Sequence, residues 1–234
     1  PTNALGWDIR LANVTSGDPR LVVRRDELPT SLSTYGEPHY YWGYGYPCSH
    51  TNWTSGNQWA ASGDWTGRYY DPTGKTNVEG RILAMGMGNP LEPGTYYVGV
   101  LNGSSYGIGT NAMSYTLVSR GIGDGMSIPV VDVPFELGSA ATNGIPPREA
   151  AYYRVVIPSN TPSWQARLSP VLGEAMMKMQ LKSLPCIQSK RYATPFRYGG
   201  TQIKKTGKEQ WVLLPEDGTN MIRAGKIGRA SCRE

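Results

Sequence analysis

The sequence WDIRL at residues 7–11 recurs as WQARL at residues 164–168. Each copy is followed by a glycine and an acidic residue, at Gly17 and at Gly173, and then by an apolar run that is typical of a strand. The next Leu-Pro pair begins eleven residues after the glycine in both copies. Similarity that keeps its spacing is the signature of a duplicated module. The sequence therefore predicts two copies of one fold.

The composition favours strands over helices. The 234 residues include 29 glycines and 18 prolines, and 15 tyrosines with 7 tryptophans supply apolar area for a core. Short apolar runs between Gly/Pro turns are typical of all-β proteins. No run approaches the roughly 20 apolar residues of a membrane span. A net charge of only +5, without a Lys/Arg stripe among aromatics, gives no reason to expect nucleic acid as a partner.

The repeat also sets the predicted domain boundaries. We expect a first β-sandwich domain at 1–120, a glycine-rich linker at 121–127 and a second sandwich domain at 128–225. The last residues, KIGRASCRE at 226–234, are similar to the translation of a sequencing adapter. We interpret them as an artificial tail, with an ordinary basic tail as the alternative. The second domain is then truncated before its closing strands, and the opening strands of the first domain are expected to precede Pro1.

Two motifs resemble a known family. The run PGTYYVGV at 93–100, followed by SYTL at 114–117, is similar to the bacterial pre-peptidase C-terminal domains. The run GDPRLVVR at 17–24 is similar to another strand of that family, although Arg20 stands where an aspartate is usual and Val22 where a tyrosine is usual. The resemblance implies β-sandwiches of jelly-roll type that are appended to exported proteins and are usually not catalytic. Some relatives bind calcium, collagen or polysaccharide, and Arg20 weakens the transfer of a metal site.

The strongest candidate site is an aromatic-rich stretch of the first copy. Flat aromatic faces stack on sugar rings or on proline-rich strands, and nearby amides form hydrogen bonds to such ligands. The alternative is that these rings pack as a flap on the sandwich. The candidate ligand-binding residues are Tyr41, Trp42, Tyr44, Trp53, Trp59 and Trp65.

The polar residues give weaker signals. His39 and His50 flank Cys48, but the sequence shows neither a paired base nor an orienting group for a nucleophile. Cys48 and Cys186 stand far apart outside any ligand-spaced motif, so no zinc site is predicted. An alternative is that carboxylates bind calcium, although they do not have the spacing of a calcium-binding loop. These carboxylates are Asp18, Glu27, Asp64 and Asp71.

Together these patterns predict a protein that is not an enzyme. We expect an accessory, adhesion or targeting module of a larger secreted or cell-surface bacterial protein, such as a peptidase. Its partners would be the rest of that parent protein and extracellular matrix or polysaccharide. One alternative is a carbohydrate-binding module of an extracellular glycosidase. Another is an enzyme that uses Asp64, Asp71 or His50, which needs a pocket that the sequence does not predict. Trp7 and Trp164 are predicted to be core residues, with the stems of Arg10 and Arg167 along the sheet.

Overall fold

A computed structural model places the repeated stretches in strands. The structure describes residues 3–14, 19–29, 55–56, 58–60, 83–85, 92–104, 107–108, 112–136, 138–146, 149–159, 161–173, 175–181, 184, 200–205, 208–213 and 225–233. Within these ranges the regular elements are fourteen β-strands, without a helix. The prediction of an all-β chain is confirmed for the described residues, which also contain no helix capable of crossing a bilayer.

The strands divide into two compact units. Unit 1 contains β1 (Ala4–Ala12), β2 (Pro19–Arg25), β3 (Gln58–Ala60), β4 (Leu83–Met85), β5 (Tyr96–Ser104), β6 (Gly107–Ile108) and β7 (Thr116–Gly123). Unit 2 contains β8 (Val130–Asp132), β9 (Ala150–Ile157), β10 (Trp164–Leu168), β11 (Ala175–Leu181), β12 (Gly200–Lys205), β13 (Lys208–Leu213) and β14 (Gly225–Arg233).

Unit 1 has two antiparallel sheets that share one apolar core. One sheet has the strand order β4-β1-β7, and the other has the order β3-β2-β5-β6. The core cluster takes Ile9 and Leu11 from β1 and Leu21 and Val23 from β2. These residues are two apart in each strand because alternate side chains of a strand point to the same face. Burying each such side chain stabilises the fold by about 1.5–3 kcal/mol.

Unit 2 also has two sheets around a core of its own. The strand orders are β10-β13-β12 and β11-β14-β9-β8, and β8 runs parallel to β9. The core cluster takes Val155 and Ile157 from β9, Ala166 from β10 and Met177 from β11. It therefore joins both sheets of the unit, as the cluster of unit 1 does.

The two repeated tryptophans lie at the margins of these cores. The sequence predicts both in the core, whereas the structure has them partly buried against the apolar cluster of their own unit. The ring centroid of Trp7 lies 5.4 Å from that of Tyr96, at an interplanar angle of 57°. That of Trp164 lies 6.3 Å from Phe135, at 54°. Tilted ring pairs at these separations are the favourable arrangement for aromatic side chains.

The predicted linker at 121–127 begins inside a strand. β7 continues through Ile122, which is fully buried, to Gly123, which is paired with Ala4. A side chain on Gly123 would collide with the backbone carbonyl of Asn3, and its φ is +155°. Only glycine allows this close approach. The first glycines of the segment therefore serve strand pairing.

The segment 226–234, which the sequence analysis interprets as an artificial tail, supplies most of β14. β14 lies between β11 and β9 and is antiparallel to both. In this structure residues 226–233 thus belong to a sheet of unit 2. The artificial origin of these residues and the truncation of the second domain stay predictions.

Candidate functional site

The predicted aromatic site lies almost wholly outside the described residues. This applies to Tyr41, Trp42, Tyr44, Trp53 and Trp65. Only the backbone of Trp59 is described, in β3, where it is paired with Val23 of β2. The residues 18, 39, 48, 50, 64, 71 and 186 also lie outside the described ranges. The structure does, however, describe both flanks of the stretch that carries most of the predicted aromatic residues.

These flanks meet at the end of β2. We call this region the β2 corner and define it as residues 24–28 with Gly56 and residues 92–96. The chain turns there at Asp26, whose φ is +64°. Aspartate tolerates this left-handed conformation better than most residues because its short polar side chain can form local hydrogen bonds. The charged run RRDE at 24–27 thus ends an apolar strand and begins the turn.

Arg24 holds both flanks of the aromatic stretch. Its Nε donates to the backbone carbonyl of Gly56 at 2.9 Å, and its Nη1 donates to that of Leu28 at 3.0 Å. Its Nη2 donates to a carboxylate oxygen of Glu27. The planar guanidinium has several donors in fixed directions, so one side chain can bind all three acceptors. The chain therefore leaves the β2 corner at Leu28 and returns to it at Gly56, and Arg24 binds the carbonyls of both residues.

Gly56 is suited to this return point by its backbone. Its amide donates to the carbonyl of Arg25 at 2.9 Å, and its φ is +80°. A β-carbon at this position would lie 3.3 Å from Oε1 of Glu27. Glycine avoids both the left-handed strain and this close contact. Residues 29–55, which include four of the six candidate aromatic residues, thus form an insert that is fastened at both ends.

Asp26 fastens the start of β5 to the same corner. Its amide donates to the carbonyl of Thr95 at 2.6 Å, and the amide of Thr95 donates to its Oδ1 at 3.0 Å. The bond from Thr95, followed by a side-chain hydrogen bond from Ser55 and the charge of Arg25, lowers the pKa of the Asp26 carboxyl. These interactions favour the ionised form and together outweigh the opposing effect of desolvation.

The turn before β5 is held by two further contacts. Nη2 of Arg25 donates to the carbonyl of Pro93 at 2.6 Å, and the hydroxyl of Tyr96 donates to the carbonyl of Glu92 at 2.7 Å. Burial of the Tyr96 hydroxyl raises its pKa to about 12. The β2 corner therefore consists of ionised groups and hydrogen-bonded carbonyls that fix backbone segments to one another.

A second charged cluster joins β1 to β7. Nε of Arg10 lies 2.7 Å from Oδ1 of Asp8, and Nε of Arg120 donates to Oδ2 at 2.8 Å. Asp8 and Arg10 are each only 3% exposed. They alternate with the core residues of β1, so they lie on the other face of the strand. The sequence predicts that the stem of Arg10 lies along the sheet. The structure adds a buried ion pair between Arg10 and Asp8, which are two residues apart on the same face.

An exposed ion pair provides a contrast in unit 2. Nε and Nη2 of Arg154 donate to the two carboxylate oxygens of Asp132 at 2.5 and 2.7 Å. The side chain of Asp132 is 64% exposed.

Among the described residues, no group of three or more His, Cys, Asp or Glu side chains is placed to hold a metal ion. Glu27, the calcium candidate that the structure does describe, is bound by Arg24.

One feature of the sequence indicates the β2 corner. The charged residues at 24–27 directly follow the apolar run at 21–23, so the apolar pattern of the strand ends at this point. Comparison of the chain with protein-family models, with curated proteins and with solved structures found no match.

Proposed function

We propose that this chain is a non-catalytic, extracellular part of a larger exported protein, built from two tandem jelly-roll-like β-sandwiches that resemble pre-peptidase C-terminal domains. In this proposal the first module presents the aromatic insert at 29–55 as a binding surface for polysaccharide or matrix protein. The observation that carries the proposal is the Arg24 side chain, which holds the carbonyls on both flanks of that insert.

The pairing of the strands supports two modules of one kind. Leu21 and Met177 each stand four residues after the repeated glycine, and both are fully buried. Leu21 is paired with Val100 of β5, and Met177 is paired with Ser231 of β14. Likewise β1 pairs with β4 as β10 pairs with β13. Corresponding positions of the repeat thus have corresponding neighbours.

The cores support a sandwich architecture within each module. Both apolar clusters take residues from the two sheets of their unit. Two sheets that share one layer of apolar side chains form the basic plan of a sandwich. Modules that each bury their own core can be added to a larger protein without a shared interface.

A fastened insert is a suitable place for a binding surface. Holding its two ends together reduces the conformational entropy that the insert would otherwise lose on binding. Candidate aromatic side chains within it can stack on sugar rings or on proline-rich strands. Binding residues on loops that a rigid scaffold positions are a common arrangement in β-proteins.

Binding measurements test this proposal. The full chain would be sedimented with insoluble polysaccharides and with collagen, and Trp42→Ala and Trp53→Ala would be compared with the control Tyr115→Ala, a partly exposed tyrosine outside the insert. We expect the chain to bind at least one material and the insert variants to lose binding, with the control unchanged. Binding that survives both substitutions would refute the role of the insert. Selective binding of defined glycans on an array would favour the carbohydrate-binding alternative.

A further inference from the structure

The sequence contains two Asn-Gly pairs, and the structure places them in different surroundings. One pair, Asn102-Gly103, lies within β5, and the other, Asn143-Gly144, lies between β8 and β9. Asparagine followed by glycine is the dipeptide most prone to deamidation, because glycine has no β-carbon to hinder attack by its backbone nitrogen. The chain therefore holds the same reactive dipeptide in two different backbone settings.

Deamidation begins with the closure of a five-membered ring. The backbone nitrogen of the glycine forms a bond to Cγ of the asparagine, the bond from Cγ to Nδ2 breaks, and ammonia leaves with the proton of the backbone amide. Water then opens this succinimide at either of its carbonyl carbons, which gives aspartate or isoaspartate. The reaction thus consumes one water molecule, releases one ammonia and leaves a carboxylate in place of the amide.

The backbone around Asn102 opposes this ring closure. Asn102 is paired with Pro19 of β2, and Gly103 is paired with Ile108 of β6. Pairing holds the chain in the extended conformation of a strand. The glycine nitrogen can reach Cγ only after rotation about the Cα–C bond of the asparagine, away from that conformation. The strand must therefore open before Asn102 can react.

The backbone around Asn143 is irregular and open to water. Residues 140–146 belong to neither a helix nor a strand, and residues 141–144 are all exposed. A β-carbon built on Gly144 would have no described atom within 4 Å, so there is space beside the reacting nitrogen. A segment of this kind permits the rotation that ring closure needs, without the loss of strand pairing.

We propose that Asn143 is a site of spontaneous deamidation in the folded protein, and that the strand protects Asn102 from the same reaction. The contrast between the two sites, rather than the dipeptide itself, carries this inference. The product at position 143 has a new negative charge, and its isoaspartate form has one more methylene in the backbone. Because residues 140–146 lie outside the strands, β8 and β9 keep their pairing. The modification thus accumulates with the age of the chain without unfolding it.

Hydroxylamine tests the proposal directly, because it attacks the succinimide and cleaves the chain between the asparagine and the glycine. The full chain would be treated in its folded state and in concentrated urea, and mass spectrometry would identify the fragments. In the folded state we expect cleavage after Asn143 to be at least about tenfold faster than after Asn102, since a paired strand must open first. In urea the two rates should become similar, which would show that the fold causes the difference.

Gly144→Ala is the matched variant. The backbone of Gly144 does not have a positive φ, and the added methyl group would enter open space, so the fold should be unchanged. Its β-carbon should nevertheless slow ring closure. Both chains would be incubated without hydroxylamine at mildly alkaline pH, digested and analysed for isoaspartate. We expect isoaspartate at position 143 in the parent chain, its loss in the variant, and the same urea midpoint for both chains before and after incubation.

Three results would overturn the proposal. One is cleavage of the folded chain after Asn102 at a rate equal to or above that after Asn143. Another is a folded chain that is not cleaved after Asn143 although the chain in urea is. The third is isoaspartate that forms equally fast in Gly144→Ala, because the glycine would then not provide the reacting nitrogen. A urea midpoint that falls as isoaspartate accumulates would contradict the retention of strand pairing.

Discussion

The buried carboxylate of Asp8 offers the sharpest test of how unit 1 is stabilised. It lies between the guanidinium groups of Arg10 and Arg120, and the register of β1 and β7 places Asp8 directly opposite Arg120. The substitution Asp8→Asn keeps the size and shape of the side chain but removes its charge. Two cations, one of them almost fully buried, then lose the carboxylate between them.

The exposure of these groups sets the magnitude. Asp8 and Arg10 are each 3% exposed, so water cannot replace the missing charge. Removing one member of a buried ion pair costs about 3–5 kcal/mol, mostly from the charge left behind. A typical domain has a free energy of unfolding of about 5–15 kcal/mol. We therefore expect Asp8→Asn to remove a large share of the stability of unit 1.

The chain contains its own control. Asp132 forms a two-pronged ion pair with Arg154, but its side chain is 64% exposed. Asp132→Asn should therefore cost less than about 1 kcal/mol. Hydrogen exchange measured by mass spectrometry across a urea series gives the unfolding free energy of each unit separately, because peptides from the two units can be resolved.

The expected result is a large loss confined to the peptides of unit 1 for Asp8→Asn and a small loss in unit 2 for Asp132→Asn. If the two variants lost the same free energy, the ion pair in β1 would not contribute through its burial. A loss of equal size in both units for Asp8→Asn would show that the effect is not confined to the unit that contains the ion pair.

Three further predictions concern the β2 corner. Arg24→Met should lower the free energy of unfolding by about 1–3 kcal/mol through its lost hydrogen bonds. It should also speed proteolytic cleavage within residues 29–55 more than cleavage elsewhere, as mass spectrometry of the fragments would reveal. Gly56→Ala should cost more than Gly125→Ala in urea unfolding, because both glycines have positive φ but only Gly56 also faces a nearby carboxylate; equal costs would refute the role of that contact. Because hydrogen bonds lower the folded-state pKa of Asp26, its contribution should be present above the unfolded pKa and be lost as the pH falls through the folded value. NMR titration of its carboxyl should give a midpoint below 3.8, and a midpoint above 3.8 would contradict this.

Much of the strand content could be predicted from the residues alone. The apolar runs in β2, β5 and β9 are short, rich in Val and Tyr, and bounded by turn residues, which is the local pattern of strands. Boundaries were harder. The glycines at 121–123 indicate a linker, yet β7 continues through them because β1 lies alongside. Pairing with a distant strand outweighed the local preference of glycine for turns.

The contacts of the β2 corner could not be predicted for a different reason. Arg24 binds a carbonyl 4 residues away and another 32 residues away. Backbone carbonyls are present at every residue, so the sequence does not indicate which of them an arginine will meet. That Asp8 and Arg10 lie side by side is easier to predict, because residues two apart in a strand share a face. The sequence does not indicate that this face of β1 is shielded from water.

The hydrogen bonds of Arg24 affect how such a module can change during evolution. Its two carbonyl partners are main-chain groups, which substitutions of side chains leave in place. The residues between them can therefore be replaced, lengthened or shortened while the clasp and the sheet beneath it keep their chemistry. One β-sandwich scaffold could therefore acquire new binding specificities by exchange of this single insert.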